Sequence, residues 1–464
     1  MPAAAALRFD TLPLSSATLE NLGRLGYAVM TDVQAASLPA ALAGKDIIAQ
    51  AKTGSGKTAA FALALLARLE ARRFEVQALV LCPTRELADQ VTTEIRRLAR
   101  AGDNIKAVTL SGGVPLRGQA NSLAHGAHVV VGTPGRVLDH MDRGHLRLDA
   151  VRTLVLDEAD RMLDMGFVDD MVRVAGQCPR DRQTLLFSAT YPEGIAKLAA
   201  QFMRDPVTVR VEAQHAGDRI EQRWYEVTES QRLPTVSRLL DHFRPDRALA
   251  FCNTKARCRE LAALLQAQGY SALALHGDLE QRERDQVLIR FANGSCTVLV
   301  ATDVAARGLD VAGLAAVINV DVTPDPEVHV HRIGRTGRAG ETGLALSLAS
   351  LDEMGAVGRI ELLQGRESKW FPLAELTPAS GARLLPAMVT VHIQAGRKEK
   401  IRPGDVLGAL TADLGYTRGQ VGKIDINEFA TYVAVAREIG GEVVARLNQG
   451  RIKRRTVKAR LLKD

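Results

Sequence analysis

The chain has 464 residues, which at about 150 residues per domain points to about three domains. With 46% hydrophobic and 24% charged residues it can build ordinary cores, which excludes pervasive disorder. Its five cysteines form no CxxC pair, which argues against a disulfide framework and a structural zinc. No run of about 18 uncharged apolar residues and no signal-type start is present, so no membrane span and a cytoplasmic setting are expected. The net charge of +7 is local: residues 385–464 carry 15 Lys/Arg against 8 Asp/Glu, and the rest of the chain is balanced. A basic module on a neutral body suits a polyanion such as RNA; a solvated basic tail is the plainer alternative.

From the N-terminus, residues 1–26 read as a flank and residues 27–208 as a first α/β domain. Short apolar runs end in small or polar residues and alternate with amphipathic stretches: ALVLCPT (78–84), HVVVGTPGR (128–136), TLVLDEAD (153–160) and TLLFSAT (184–190). That alternation is the grammar of a parallel sheet. The segment AKTGSGKT (51–58) lies between apolar DIIAQ and helical AAFALALLARLE, the strand-to-helix context of a phosphate-binding loop. Across Thr53, Gly54, Ser55 and Gly56 the backbone can turn its N–H groups toward phosphate, Lys57 can reach the β and γ phosphates of ATP, and Thr58 can hold Mg²⁺. Asp157 and Glu158 leave their strand at its carboxyl edge, where ligands bind in open α/β sheets. Asp157 is the metal candidate and Glu158 the candidate base for the attacking water; a solvated helix start is the plainer alternative for two adjacent acids.

Residues 209–222 are polar and Gly-containing and read as a linker. A second α/β domain follows at 223–371, with runs ALAFCNT (248–254), TVLVATD (297–303) and AVINVDV (316–322). Late in it, HRIGRTGR (331–338) sets arginines around tight glycines, and Arg335 and Arg338 are candidates to stabilise charge on a transferring phosphoryl group. Residues 372–386, with three prolines and no sustained period, read as a tether. Residues 387–464 then give the order βαββαβ, a ferredoxin-like α+β domain. It has Pro403 opening the first helix and the basic stretches GRKEKIRPGD and GRIKRRTVKARLLK flanking the sheet. TYVAVA offers Tyr432 and small aliphatics, with Phe429 nearby, and lacks the aromatic octapeptide of a typical RNA recognition motif.

Taken in order, TDVQ, AKTGSGKT, PTREL, Gly112-Gly113, TPGR, DEAD, SAT, FCNT, QRER, ATDVAARGLD and HRIGRTGR resemble the DEAD-box family of RNA-dependent ATPases over about residues 9–370. The resemblance implies two tandem RecA-like domains and an ATP-dependent RNA helicase using ATP and Mg²⁺. It also implies roles. Gln34 would read the adenine edge, with Tyr27 or Phe9 as a stacking face. Asp160, Ser188, Thr190 and His331 would couple the nucleotide to lobe closure, Asp303 would contact the ribose, and Asp310 would orient the arginines. Pro83, Thr84, Arg85, Gly113, Thr133, Arg136, Gln281, Arg284 and Thr302 would line an RNA strand. Asp32 departs from the proline usual in the first motif.

The C-terminal wording, RPGDVLGALT, VGKID and YVAVA, resembles the DbpA-type members of that family. That resemblance implies a divergent RNA recognition motif binding a hairpin of large-subunit ribosomal RNA, and a role in assembling the large ribosomal subunit. Lys398, Lys400, Lys423, Tyr432, Arg451, Lys453 and Arg454 are its RNA candidates by charge and placement. Two alternatives stand beside the helicase: an ATP-gated RNA clamp or general RNA chaperone without ribosomal specificity, and a DNA translocase of similar fold.

Overall fold

The computed structural model describes residues 7–51, 54–101, 104–191, 193–211, 220–306, 314–337, 342–378, 385–453 and 455–462. The chain divides into two units, Met1–Gln214 and His215–Asp464.

The first unit is built on a seven-stranded parallel sheet of β1 (Ile47–Gln50), β2 (Ala78–Leu81), β3 (Ala107–Leu110), β4 (Val129–Gly132), β5 (Thr153–Asp157), β6 (Gln183–Ser188) and β7 (Val207–Arg210), in the order β3-β4-β2-β5-β6-β1-β7. Its central strands are near-continuous Val, Leu, Ile and Ala because helices cover both faces. Two separate clusters, one around Phe61 and Phe187 and one around Leu79, Leu154 and Met162, are the two cores on either side of the sheet. The helix Lys57–Leu66 reads KTAAFALALL and is buried almost all round, so the loop before it is anchored from behind.

The second unit holds two sheets. Strands β8 (Ile220–Glu226), β9 (Ala248–Cys252), β10 (Ala272–Leu275), β11 (Val298–Thr302), β12 (Ala316–Asn319) and β13 (Gly343–Ala349) form a parallel sheet ordered β10-β11-β9-β12-β13-β8. Strands β14 (Met388–Ile393), β15 (Val421–Ile426), β16 (Thr431–Ala436) and β17 (Ala459–Leu461) form an antiparallel sheet ordered β15-β16-β14-β17. Within this small domain the second strand lies beside the third, the third beside the first and the first beside the fourth, which is the ferredoxin-like arrangement. Val391, Ile393, Val433 and Val435 meet Val406, Leu410, Val443 and Leu447 of the covering helices, one residue in two along each strand.

Two details bear on the sequence reading. The start of the segment read as a tether is held on the parallel-sheet domain: Leu376 is buried, and the Arg238 guanidinium donates to the carbonyls of Leu373 (2.5 Å) and Leu376 (3.5 Å). Leu373 and Leu376 turn inward while Pro372, Ala374, Glu375, Thr377 and Pro378 stay exposed. Asp32, where a proline was expected, is the first residue of the helix Asp32–Leu42, a position whose free N–H groups favour a carboxylate.

Candidate nucleotide and RNA sites

The strand order of the first sheet divides its carboxyl edge into two halves. The ends of β1, β5 and β6 carry the GSGKT loop, the DEAD segment and the SAT segment. The ends of β2, β3 and β4 carry Thr84 and Arg85, Gly113, and Thr133 and Arg136. Segments scattered over more than a hundred residues thus become two adjacent groups along one edge, where open α/β sheets bind ligands.

On the first half, Gly54 (φ +82°) and Gly56 (φ +92°) take left-handed backbone that a side chain disfavours. At Gly56 space is also closed, since a Cβ there would lie 2.5 Å from Gln34 Nε2 and 2.8 Å from Thr31 Oγ1. Gln34, only 1% exposed, donates from Nε2 to the Gly56 carbonyl (3.1 Å) and accepts the Thr31 N–H at Oε1 (2.9 Å). Its amide therefore ties the start of one helix to the phosphate loop. Tyr27 is half-buried and donates to Glu94 (2.6 Å); burial, then Glu94, pushes its phenol upward. Phe9 is buried and meets Tyr27 edge-on at 6.1 Å, so of the two aromatic candidates only Tyr27 keeps an accessible part. Lys57 is buried and donates to the Ala51 carbonyl (2.6 Å), while Thr58 stays partly exposed at the helix start. Thr53 lies outside the described residues.

Asp157 is buried at the end of β5. Burial pushes its carboxyl up to about 7, against the pull of the Lys57 ammonium and with Glu158 adding to the rise. Glu158, partly exposed, takes φ +52°, an uncommon conformation for a residue with a side chain, between the strand and the helix Ala159–Asp164. Asp160 accepts the N–H groups of Ala189 (3.2 Å) and Thr190 (2.9 Å) and the Thr190 hydroxyl (3.0 Å), while Ser188 Oγ accepts the Asp160 N–H (3.2 Å). Burial by itself would raise that carboxyl. The Thr190 amide, the Lys57 charge and the hydroxyls of Ser188 and Thr190 outweigh it and hold the group below the usual carboxylate range. The DEAD and SAT segments are one hydrogen-bonded unit.

On the second half, Pro83 is buried and Thr84 caps the helix Arg85–Leu98, accepting the Leu87 N–H (3.3 Å). Arg85 packs so closely on Gly112 that a Cβ there would sit 2.9 Å from its guanidinium. Gly113 is exposed at φ +75°. Thr133 precedes the helix Pro134–Asp142, and Arg136 donates to the Val114 carbonyl and to Gln119 Oε1, both at 2.9 Å.

In the second unit, Arg332 is the organising group. Its guanidinium makes a two-pronged pair with Asp303 (2.7 Å for each bond) and donates to the Asp321 carbonyl (2.7 Å) and Asn253 Oδ1 (2.8 Å), with Phe251 stacked at 5.2 Å. The ribose candidate Asp303 is thereby fixed at the end of β11, beside buried Thr302. Gln281 opens the helix Gln281–Ala292 and donates to Asp285 (2.8 Å), and Arg284 donates to the Ala305 carbonyl (2.8 Å). His331 and Arg335 are partly exposed at the end of the helix Pro326–Ile333; Asp310, Arg338 and Arg454 lie outside the described residues.

Residues 31–198 match the DEAD/DEAH box helicase family, residues 231–340 the helicase conserved C-terminal domain, and residues 390–461 the DbpA RNA binding domain. The ATP-dependent RNA helicase DbpA of Escherichia coli is 52% identical over 461 residues, 98% of this chain and 99% of that protein. The chain belongs to the DEAD-box helicase family. Another DEAD-box relative, the ATP-dependent RNA helicase CshA of Geobacillus kaustophilus, is 45% identical over 354 residues, 76% of each chain. The structure of S. cerevisiae Dbp5 bound to RNA and ADP BeF3 superposes with a TM-score of 0.73 at 31% identity, covering 79% of this chain and 96% of that one. A DEAD-box structure of Mss116p bound to ssRNA and AMP-PNP gives 0.72 at 26% identity over 80% of each chain. By family the protein is an RNA-dependent ATPase.

The RNA candidates of this DEAD-box protein's C-terminal domain separate into groups. Lys398, Lys400 and Lys453 come together at one end of the small sheet, where Lys453 donates to the Lys400 carbonyl (2.9 Å) and Lys398 sits 4.1 Å over the ring of Phe429. Arg451 is exposed on the same C-terminal loop as Lys453. Lys423 stands on β15, paired with Asp425 (3.3 Å). Tyr432 differs from its expected place: it is 2% exposed, its ring tilted against His392 and its hydroxyl 3.4 Å from Gln286 Nε2. Its alternation along β16 points it away from the domain's helices, onto a face that is covered. The exposed aromatic is Phe429, at 60%. Arg332 was legible as part of HRIGR, but only the fold shows that it, rather than Arg335, anchors Asp303.

Proposed function

We propose that this protein uses Mg²⁺-ATP to open short RNA duplexes locally, and that its C-terminal domain directs it to a hairpin of large-subunit ribosomal RNA during large-subunit assembly in the cytoplasm. The observation that carries the reading is the divided edge of the first sheet, with the candidate phosphate residues on one half and the candidate RNA residues on the other, together with a chain segment that matches the DbpA RNA binding domain. The donor set near the phosphate loop fits a hard cation: one hydroxyl from Thr58 and one carboxylate from Asp157, all oxygen, leaving positions for water and phosphate. Mg²⁺ there supplies charge neutralisation of the phosphates. Lys57 would leave the Ala51 carbonyl for the phosphates, Glu158 would accept a proton from the attacking water, and Arg335 and Arg338 would meet charge on the transferred group as the lobes close.

RNA would be gripped through amides, hydroxyls and a few arginines, which hold sugar and phosphate without reading bases. The core is then indifferent to sequence, and target choice falls to the cluster around Lys398, Lys453 and Phe429. Five buried cysteines that form no disulfide suit a reducing compartment, and among the described residues no helix is long and apolar enough to cross a membrane.

The test is steady-state ATPase with no RNA, generic single-stranded RNA and purified large-subunit ribosomal RNA, each at two salt concentrations. A selective response to ribosomal RNA that falls in the Lys398→Glu, Phe429→Ala double variant supports the reading. Equal stimulation by every RNA leaves an RNA-dependent ATPase without ribosomal targeting, the general-chaperone alternative.

A further inference from the structure

Gln119 lies in the sequence between the Gly112-Gly113 pair and TPGR, and in the fold it is buried between them. It stands on the helix Leu116–Ala124 and is 6% exposed. Its Nε2 donates to the Ser111 carbonyl (2.9 Å), and its Oε1 accepts from Arg136 Nη1 (2.9 Å) and meets His140 Nε2 (3.0 Å). Ser111 leads into the glycine turn. Arg136 and His140 are one turn apart on the helix Pro134–Asp142, so both reach the same oxygen.

The partners fix the protons of this cluster. A guanidinium can only donate, so the amide turns its oxygen to Arg136 and its nitrogen to the Ser111 carbonyl. His140 is wholly buried, and burial, then His145 and Arg136, lowers its pKa to about 4, so the ring is neutral with a single N–H. That N–H sits on Nε2, because the Gln119 oxygen offers only lone pairs, and Nδ1 has no partner among the described residues.

Arg136 commits Nη1 to this brace. One N–H goes to Gln119 and the other to the Val114 carbonyl (2.9 Å), while Nε lies 3.5 Å from Asp139 Oδ2. Nη2 makes no hydrogen bond among the described residues, on a side chain that is 15% exposed. A free surface arginine has to be ordered when it meets a phosphate. This one is ordered in advance, together with the turn beside it.

We propose that Gln119 is a positioning residue for RNA: backed by His140, it locks Arg136 to the turn 111–114, so that the two meet the sugar-phosphate backbone of one strand as a preset unit. Gln119 and His140 are both buried and reach the strand only through Arg136 and the turn. The inference rests on the reading above that Arg136 and Gly113 meet RNA.

ATPase of the full-length protein, titrated with oligouridylate at saturating Mg²⁺-ATP, tests it. In Gln119→Met, which keeps the bulk and removes both polar ends, the half-saturating RNA concentration should rise about tenfold, while kcat at saturating RNA and KM for ATP stay within about twofold. Arg136→Ala should raise it too, and adding Gln119→Met to Arg136→Ala should raise it by no more than about threefold further, since Gln119 acts largely through that arginine. An unchanged half-saturation in Gln119→Met, a loss confined to kcat, or about tenfold more on top of Arg136→Ala overturns the proposal and leaves Arg136 its RNA role. Arg136→Ala with the RNA response of the unmodified protein instead removes the parent reading, and the proposal with it. If thermal unfolding shows that Gln119→Met does not fold, His140 decides. His140→Leu, which lacks the donor, should raise the half-saturating concentration about threefold, and His140→Gln, whose amide can replace the ring N–H, should restore it. Equal values in these two variants overturn the brace.

Discussion

The carboxylate of Asp160 takes both the N–H and the hydroxyl of Thr190, at 2.9 and 3.0 Å, and so joins the last residue of the DEAD segment to the last of SAT. Thr190→Ala removes one of these bonds to a charged acceptor, worth about 1.5–3 kcal/mol, and leaves the phosphate loop untouched. Strand separation should fall about tenfold or more while ATP affinity holds, as read by duplex displacement beside nucleotide titration. The sign with pH follows from the lowered Asp160 carboxyl. Its stabilisation is present above the unfolded value of about 4 and is lost as pH falls through the folded one. The variant should therefore unfold in acid at a higher pH.

Glu158→Gln preserves shape while removing the carboxylate proposed as the base. ATP and RNA binding should persist and hydrolysis should drop by about a hundredfold or more. Single-turnover hydrolysis with separate binding titrations checks it; loss of ATP binding would give Glu158 a different role.

At Gly56 a methyl group meets Gln34 and Thr31 and must adopt φ +92°. Gly56→Ala should weaken ATP binding by about tenfold or more, the phosphate loop and Gln34 being displaced together. Fluorescent nucleotide titration measures it.

Arg332→Lys keeps the charge but not the fork that spans Asp303, Asn253 and the Asp321 carbonyl. The second unit should lose about 3 kcal/mol in urea unfolding, because buried acceptors are left without donors.

His329 stacks on Trp224 at 5.3 Å with no partner on either ring nitrogen among the described residues, and burial, then Arg332 and Arg366, lowers its pKa to about 3. The folded protein therefore resists protonating a group that the unfolded chain protonates near 6.5. Stability should be full above about 6.5 and fall by up to about 1.4 kcal/mol per pH unit below it, toward about 3. Unfolding curves of His329→Phe should lack that slope in the second unit.

The sequence by itself determined the three-domain composition, the strand-ended motifs and the chemistry of the phosphate loop. These are local facts: apolar runs needing burial on both faces, glycines needing positive φ, and cations and acids at the ends of strands. The basic cluster of the C-terminal domain was legible as charge. Only the tertiary structure decided partners. It set Asp160 against Thr190, gave Asp303 to Arg332 and packed Leu373 and Leu376, between Pro372 and Pro378, onto a core. It also turned Tyr432 under a neighbouring helix and left Phe429 outside. Alternation along a strand tells which residues share a face, but what covers that face depends on residues such as Asn293, nearly a hundred positions away in the chain, and no local pattern encodes that contact.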